Sequence, residues 1–144
     1  MNESFFSAPQ LKRDPLGSRS HSARAVPTFD YLRFRLHLQR SRKRLDVLLA
    51  VIREAESEGF YTDELAQARE YAMALATSLR SPNRETWPQA SRDINRLGAD
   101  LEVRQWADMT SHDDDLKSSV AAMLTAMERL TESARALGWS ASAA

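Results

Sequence analysis

The sequence predicts an all-α protein: an antiparallel helical bundle of about four helices, with a long first helix and a disordered N-terminal tail. Three observations lead to this prediction. Four segments carry apolar residues at alternating three- and four-residue steps, which is the period of a helix and not of a strand. Turn-forming residues separate these segments, and the short connections favour antiparallel neighbours. The lead segment shows neither period and is rich in serine and proline.

The first helix is expected to begin at Thr28, whose hydroxyl suits an N-cap, and to continue without glycine or proline until Gly59. We assign residues 1–27 to a flexible tail, residues 28–139 to the bundle and residues 140–144 to a frayed C terminus. The predicted core stripe of this helix is Tyr31, Phe34, Leu38, Ser41, Leu45, Leu48 and Ile52.

Three further helices follow from the same period. We expect caps at Thr62, Thr86 and Ser111, and a C-terminal end at Gly138, after which Trp139 folds back on the last turn. The predicted stripe of the second helix is Leu65, Ala68, Ala72, Leu75 and Leu79. That of the third is Trp87, Ala90, Ile94, Leu97 and Leu101. That of the fourth is Leu116, Val120, Met123, Met127, Leu130, Ala134 and Leu137.

Composition narrows the class of protein. A chain of 144 residues suits one domain, and its lack of cysteine excludes disulfides and cysteine-bound zinc. No stretch reaches the 18 or so consecutive apolar residues of a membrane-spanning helix. We therefore expect a soluble, cytoplasmic protein. Frequent alanine, and arginine in place of lysine, suggest a bacterial origin.

Charge is divided along the chain although the net charge is zero. Ten basic and three acidic residues lie at or before Arg44, whereas ten basic and seventeen acidic residues follow it. Such a division is typical of a surface for an acidic partner, or of complementary packing between two regions of one molecule.

The basic start of the first helix carries two apolar rows. Phe29, Leu32 and Leu36 form a second row nearly opposite the core stripe, and beside it run Arg33, His37, Arg40 and Arg44. The second helix is too short to cover this part of the first. Anchors spaced by three and four residues are the pattern of a helix that docks in a groove.

These features predict a non-enzymatic protein–protein interaction module: an adaptor, chaperone or regulator, such as an accessory of a bacterial secretion system or macromolecular assembly. The partner-binding residues would be Phe29, Leu32, Arg33, Leu36, His37, Arg40 and Arg44. The partner is either another protein or a second copy of the chain.

Three other interpretations stay open at this stage. Helices three and four, or the lead segment, could cover the second apolar row. The run of cations over Arg33–Arg44 could bind nucleic acid, whose phosphates would make binding steeply salt-dependent. The same basic, amphipathic segment could lie on a membrane surface.

We predict no catalytic residue, metal site or cofactor. The histidines His21, His37 and His112 stand alone, without the i, i+4 or Glu-x-x-His spacing that helical metal sites use. None of the four glycines belongs to a phosphate-binding motif, and no serine lies in a nucleophile elbow.

Overall fold

The computed structural model describes residues 25–59, 62–103 and 114–142. It contains four helices: α1 (Ala25–Ser57), α2 (Thr62–Ser78), α3 (Trp87–Val103) and α4 (Asp114–Ala136). No strand occurs in these ranges. The all-α prediction and the long first helix are therefore confirmed. The predicted tail lies mostly outside the described residues, as do Ser111, His112 and the last two residues of the predicted frayed terminus.

The chain divides into two compact units, residues 1–33 and residues 34–144. The described part of the first unit is the amino-terminal portion of α1, in which Phe29, Leu32 and Arg33 are exposed. The second unit contains the rest of α1 together with α2, α3 and α4, and it holds the hydrophobic core.

The core of the second unit follows the predicted stripes closely. Every predicted residue of α2 and α3 is buried, and so is every predicted residue of α4 except Leu137, which is partly buried. On α1 the buried row begins at Phe34 and continues to Ile52. Burial thus repeats with the period of a helix on all four elements, because one face of each helix packs inward.

Two α1–α2 contacts show that these helices are antiparallel. Near the connection, Arg69 Nη1 lies 2.7 Å from Glu56 Oε1. Fourteen residues earlier on α1, Arg42 contacts the far end of α2, where its Nε donates to the carbonyl oxygen of Leu79 at 2.8 Å. Residues earlier in α1 therefore contact residues later in α2, as in an antiparallel pair.

Side-chain hydrogen bonds also join α2 to α3 and α1 to α4. Ser78 on α2 donates to the buried carboxylate of Asp93 on α3. Ser41 on α1 is fully buried, and its hydroxyl donates to the carbonyl oxygen of Ala126 on α4 at 3.2 Å. Each bond ties one helix to the next without leaving the buried polar group unpaired.

Helix α4 ends as the sequence predicts. Gly138 has φ of 79°, and the amide of Trp139 donates to the carbonyl oxygen of Ala134 at 3.1 Å. This bond, with that of Gly138 to Arg135, forms a Schellman motif, whose left-handed residue is usually glycine. The chain then turns back, and the ring of Trp139 lies 4.8 Å from that of Phe34 and 6.0 Å from that of Trp87.

Three local predictions are corrected. Helix α1 begins at Ala25 and not at Thr28, because Pro27 fits the first turn, where its missing N–H is not needed. Tyr31 is 46% exposed, so the core stripe does not extend to it. Thr86 precedes α3 as predicted, but its Oγ1 accepts from the amide of Asn83. The side-chain cap is Asn83, whose Oδ1 accepts from the amides of Glu85 and Thr86.

Candidate functional site

The outward side of α1 in the second unit carries a row at four-residue spacing. Leu36 is 43% exposed, and Arg40 and Arg44 are exposed at the next two positions of the row. The core residues Leu38 and Ser41 lie between them in sequence and point the other way, into the bundle. The helical period therefore places one apolar and two cationic side chains together on the solvent side.

A basic groove lies between α1 and α4 beside this row. It has a volume of about 660 Å³. The basic residues of its lining are Arg40, Lys43, Arg44 and Arg129, together with His37. The small residues are Ala121, Ala122, Thr125 and Ala126. The Ser41–Ala126 hydrogen bond fixes the distance between the two helices under it. We call this site the basic groove.

The charges of the basic groove are not neutralised within the described ranges. No ion pair joins a described carboxylate to any of the four cations Arg40, Lys43, Arg44 and Arg129. His37 is half-buried and has an interaction of its own. Four like charges around one groove repel each other, so an anionic group there would be attracted.

Arg42 does not belong to this surface, although it lies within the basic run of the sequence. Its guanidinium donates to the carbonyl oxygens of Leu79 and Arg80, just beyond the end of α2. The last carbonyls of a helix lack intrahelical partners, and a cation there also complements the helix dipole. Arg42 is therefore a structural cap, which sequence reasoning missed.

The seven predicted partner-binding residues fall in both units. Phe29 is 64% exposed and Leu32 is 61% exposed, and Arg33 is also exposed; all three belong to the first unit. The structure gathers His37, Arg40 and Arg44 along the basic groove, with Leu36 exposed one turn before Arg40. Their role in binding stays a prediction.

A second groove, between α3 and α4, was missed by the sequence analysis. Its volume is about 440 Å³. Its charged lining is Glu102, Glu128, Glu132 and Arg135, and its apolar lining is Ile94, Leu124 and Met127. None of the three glutamates forms an ion pair with a described residue. We call this site the acidic groove.

Gly98 accounts for part of the depth of the acidic groove. It lies inside α3, which continues past it to Val103, and it belongs to the lining. A Cβ atom at this position would meet only Met127 Cε, at 3.8 Å. The spacing of Leu124, Glu128 and Glu132 beside the core stripe of α4 was the signal available in the sequence.

Asp93, the most buried carboxylate among the described residues, has partners on both oxygens. Ser78 donates to Oδ2, and Gln89 Nε2 donates to Oδ1 at 3.1 Å. No group of three or more histidine, aspartate or glutamate side chains in the described part of the chain is placed to hold a metal ion. No described helix has both the length and the apolarity to cross a bilayer.

Comparison with known proteins finds no family model, no curated protein and no solved structure that matches this chain.

Proposed function

We propose that this chain is a non-enzymatic protein–protein interaction module, an adaptor, chaperone or regulator that binds its partner through the outward side of α1. The single observation that carries the proposal is the exposure of Leu36 beside Arg40 and Arg44, which form no ion pair with a described carboxylate. Phe29 and Leu32 support it, because both are large, apolar and exposed. A group of such side chains usually marks an interaction surface. Action in the bacterial cytoplasm, within a secretion system or other assembly, belongs to the same proposal.

The two kinds of side chain would contribute differently to binding. Leucine and phenylalanine anchors supply affinity through burial, whereas surface cations mainly select an acidic partner and speed its association. The basic groove would then distinguish acidic from basic partners, and the apolar residues would hold the partner that fits.

A second candidate function is nucleic-acid binding through Arg33–Arg44. The observation in its favour is the group of cations along the basic groove that no described carboxylate neutralises, because phosphates would supply their counter-charges. Two observations weigh against it. Arg42 is used as a helix cap, and acidic residues outnumber basic ones in the chain after Arg44.

The proposal is tested by affinity capture from bacterial extract with three immobilised proteins: the wild type, L32E/L36E and the control M73E. Met73 is 55% exposed on α2, so M73E places a glutamate at an exposed apolar site away from α1. A protein retained by the wild type and M73E, lost with L32E/L36E, and bound again as a purified component supports the proposal. Equal retention by all three proteins overturns it.

The nucleic-acid alternative is tested by titrating labelled random duplex DNA and RNA at low and at physiological salt. Micromolar affinity with a steep salt slope, reduced by R40E/R44E, favours the alternative. No binding at low salt removes it, because phosphate contacts are strongest there.

A further inference from the structure

The two surfaces of α1 and α4 described above have the same spacing. On α1 the row is Leu36, Arg40 and Arg44, and on α4 it is Leu124, Glu128 and Glu132. Each row has one leucine followed by two charges at four-residue steps. Each therefore extends over about 12 Å, at 1.5 Å per residue.

The charges of these rows are opposite and the leucines match. If two helices lie parallel in register, Leu36 meets Leu124, Arg40 meets Glu128 and Arg44 meets Glu132. An antiparallel alignment would place Leu36 against Glu132 instead. Only the parallel register pairs the apolar residues and satisfies both cations at once, so the pattern selects one orientation.

Both rows are accessible in the structure. Arg40 and Arg44 line the basic groove, while Glu128 and Glu132 line the acidic groove, and all four side chains are exposed. None forms an ion pair with a described residue, so the contact would break no salt bridge within the described ranges. Leu124 is half-buried on the lining of the acidic groove, to which Gly98 also belongs.

We propose that the Leu36–Arg40–Arg44 row of one copy docks into the acidic groove of a second copy, in the parallel register. This inference rests on the proposed function, because it assigns the same side of α1, and it specifies a second copy of this chain as the partner. The acidic edge of α4 in the second copy enters the basic groove of the first.

The contact is heterologous, because one copy offers its basic row and the other its acidic groove. Each bound pair still has one free row and one free groove, so association continues past the dimer. Just over two helical turns form a short contact compared with stable interfaces, which bury about 1,200–2,000 Å². Assembly is therefore weak, dependent on concentration and reduced by salt, which screens the exposed charges.

The experiment is sedimentation of the full chain from about 1 µM to about 1 mM, a range that covers moderate to weak association. Four proteins are compared with the wild type: R40E/R44E, E128R/E132R, the two double changes combined in one chain, and the control R53E/R84E. The control changes net charge as R40E/R44E does, at two exposed arginines outside both grooves.

For the wild type and the control we expect mass to increase beyond the dimer with concentration. Each double variant alone should associate at least about tenfold more weakly, because two attractive pairs become repulsive. The chain with all four changes should recover association, since its charges are exchanged and again complementary. A mixture of the two double variants should recover it as well.

A wild type that stays monomeric over the whole concentration range, or that forms dimers and nothing larger, would overturn this inference. Double variants that associate as strongly as the wild type would also overturn it. So would a chain with all four changes that does not recover association. A monomeric wild type that still captures a partner through Leu36 overturns only this inference. Equal retention of captured proteins by the wild type, L32E/L36E and M73E overturns the proposed function as well.

Discussion

Leu36 and Leu38 provide the sharpest test of how α1 is oriented, because they are two residues apart on opposite sides of the helix. Leu38 is 8% exposed and Leu36 is 43% exposed. We predict that Leu38→Ala strongly destabilises the chain, whereas Leu36→Ala has little effect. Both substitutions remove the same atoms and introduce the same good helix former, so the difference between them reports burial alone.

The magnitudes follow from these exposures. Leu38 loses nearly all of its burial energy and leaves a cavity in the core, which together cost about 2–5 kcal/mol. Leu36 keeps almost half of its surface in water, and its removal leaves no enclosed space. Its loss should therefore cost about 1 kcal/mol or less.

The measurement is urea unfolding followed by far-UV circular dichroism, with the free energy of unfolding obtained by linear extrapolation. Samples are kept dilute, so that any association does not add to stability. Equal destabilisation by the two substitutions would show that Leu36 is an ordinary core residue. The outward surface of α1 would then not exist.

Three further predictions concern individual contacts. Gly98→Ala should raise the free energy of unfolding by about 0.5–1 kcal/mol, because a Cβ atom has room at this position in α3. Gly138→Ala should lower it by about 1–2 kcal/mol, because φ there is 79°; two changes of the same sign in the urea experiment would contradict this pair of predictions. Arg42→Ala should lower the free energy of unfolding by about 1–2 kcal/mol, because two hydrogen bonds are lost. The control Arg53→Ala, at an exposed site on the same helix, should change it by no more than about 0.5 kcal/mol; equal effects of the two substitutions would refute the capping role of Arg42. Trp139→Ala should lower the free energy of unfolding by about 1.5–3 kcal/mol, because it removes an aromatic ring that packs on the core. An unchanged midpoint of thermal unfolding would mean that these ring contacts do not persist in solution.

Helix positions and core residues could be predicted because each depends on residues close in sequence. The stripes of α2 and α3 were predicted in full, since burial on an amphipathic helix repeats every three or four residues. The glycine ends at Gly59 and Gly138 were predictable for the same local reason, and both have positive φ.

Features that depend on contacts between helices could not be predicted. Arg42 is a cap only because Leu79 and Arg80, which directly follow α2, lie opposite it; they come 37 and 38 residues later in the sequence. The acidic groove combines Glu102 on α3 with Glu128 on α4, which no local period relates. The stripe on α1 was extended too far, to Tyr31, because a period continues whether or not another helix is present to cover it.

The central claim, that the outward side of α1 is open for docking, is tested most directly by thiol labelling. The chain has no cysteine, so L36C and L38C each introduce a single reactive site. In dilute protein we predict that a maleimide labels L36C within about tenfold of its rate in the unfolded chain, and L38C only through rare opening of the bundle. A thiol at position 36 that reacts as slowly as one at position 38 would contradict the account.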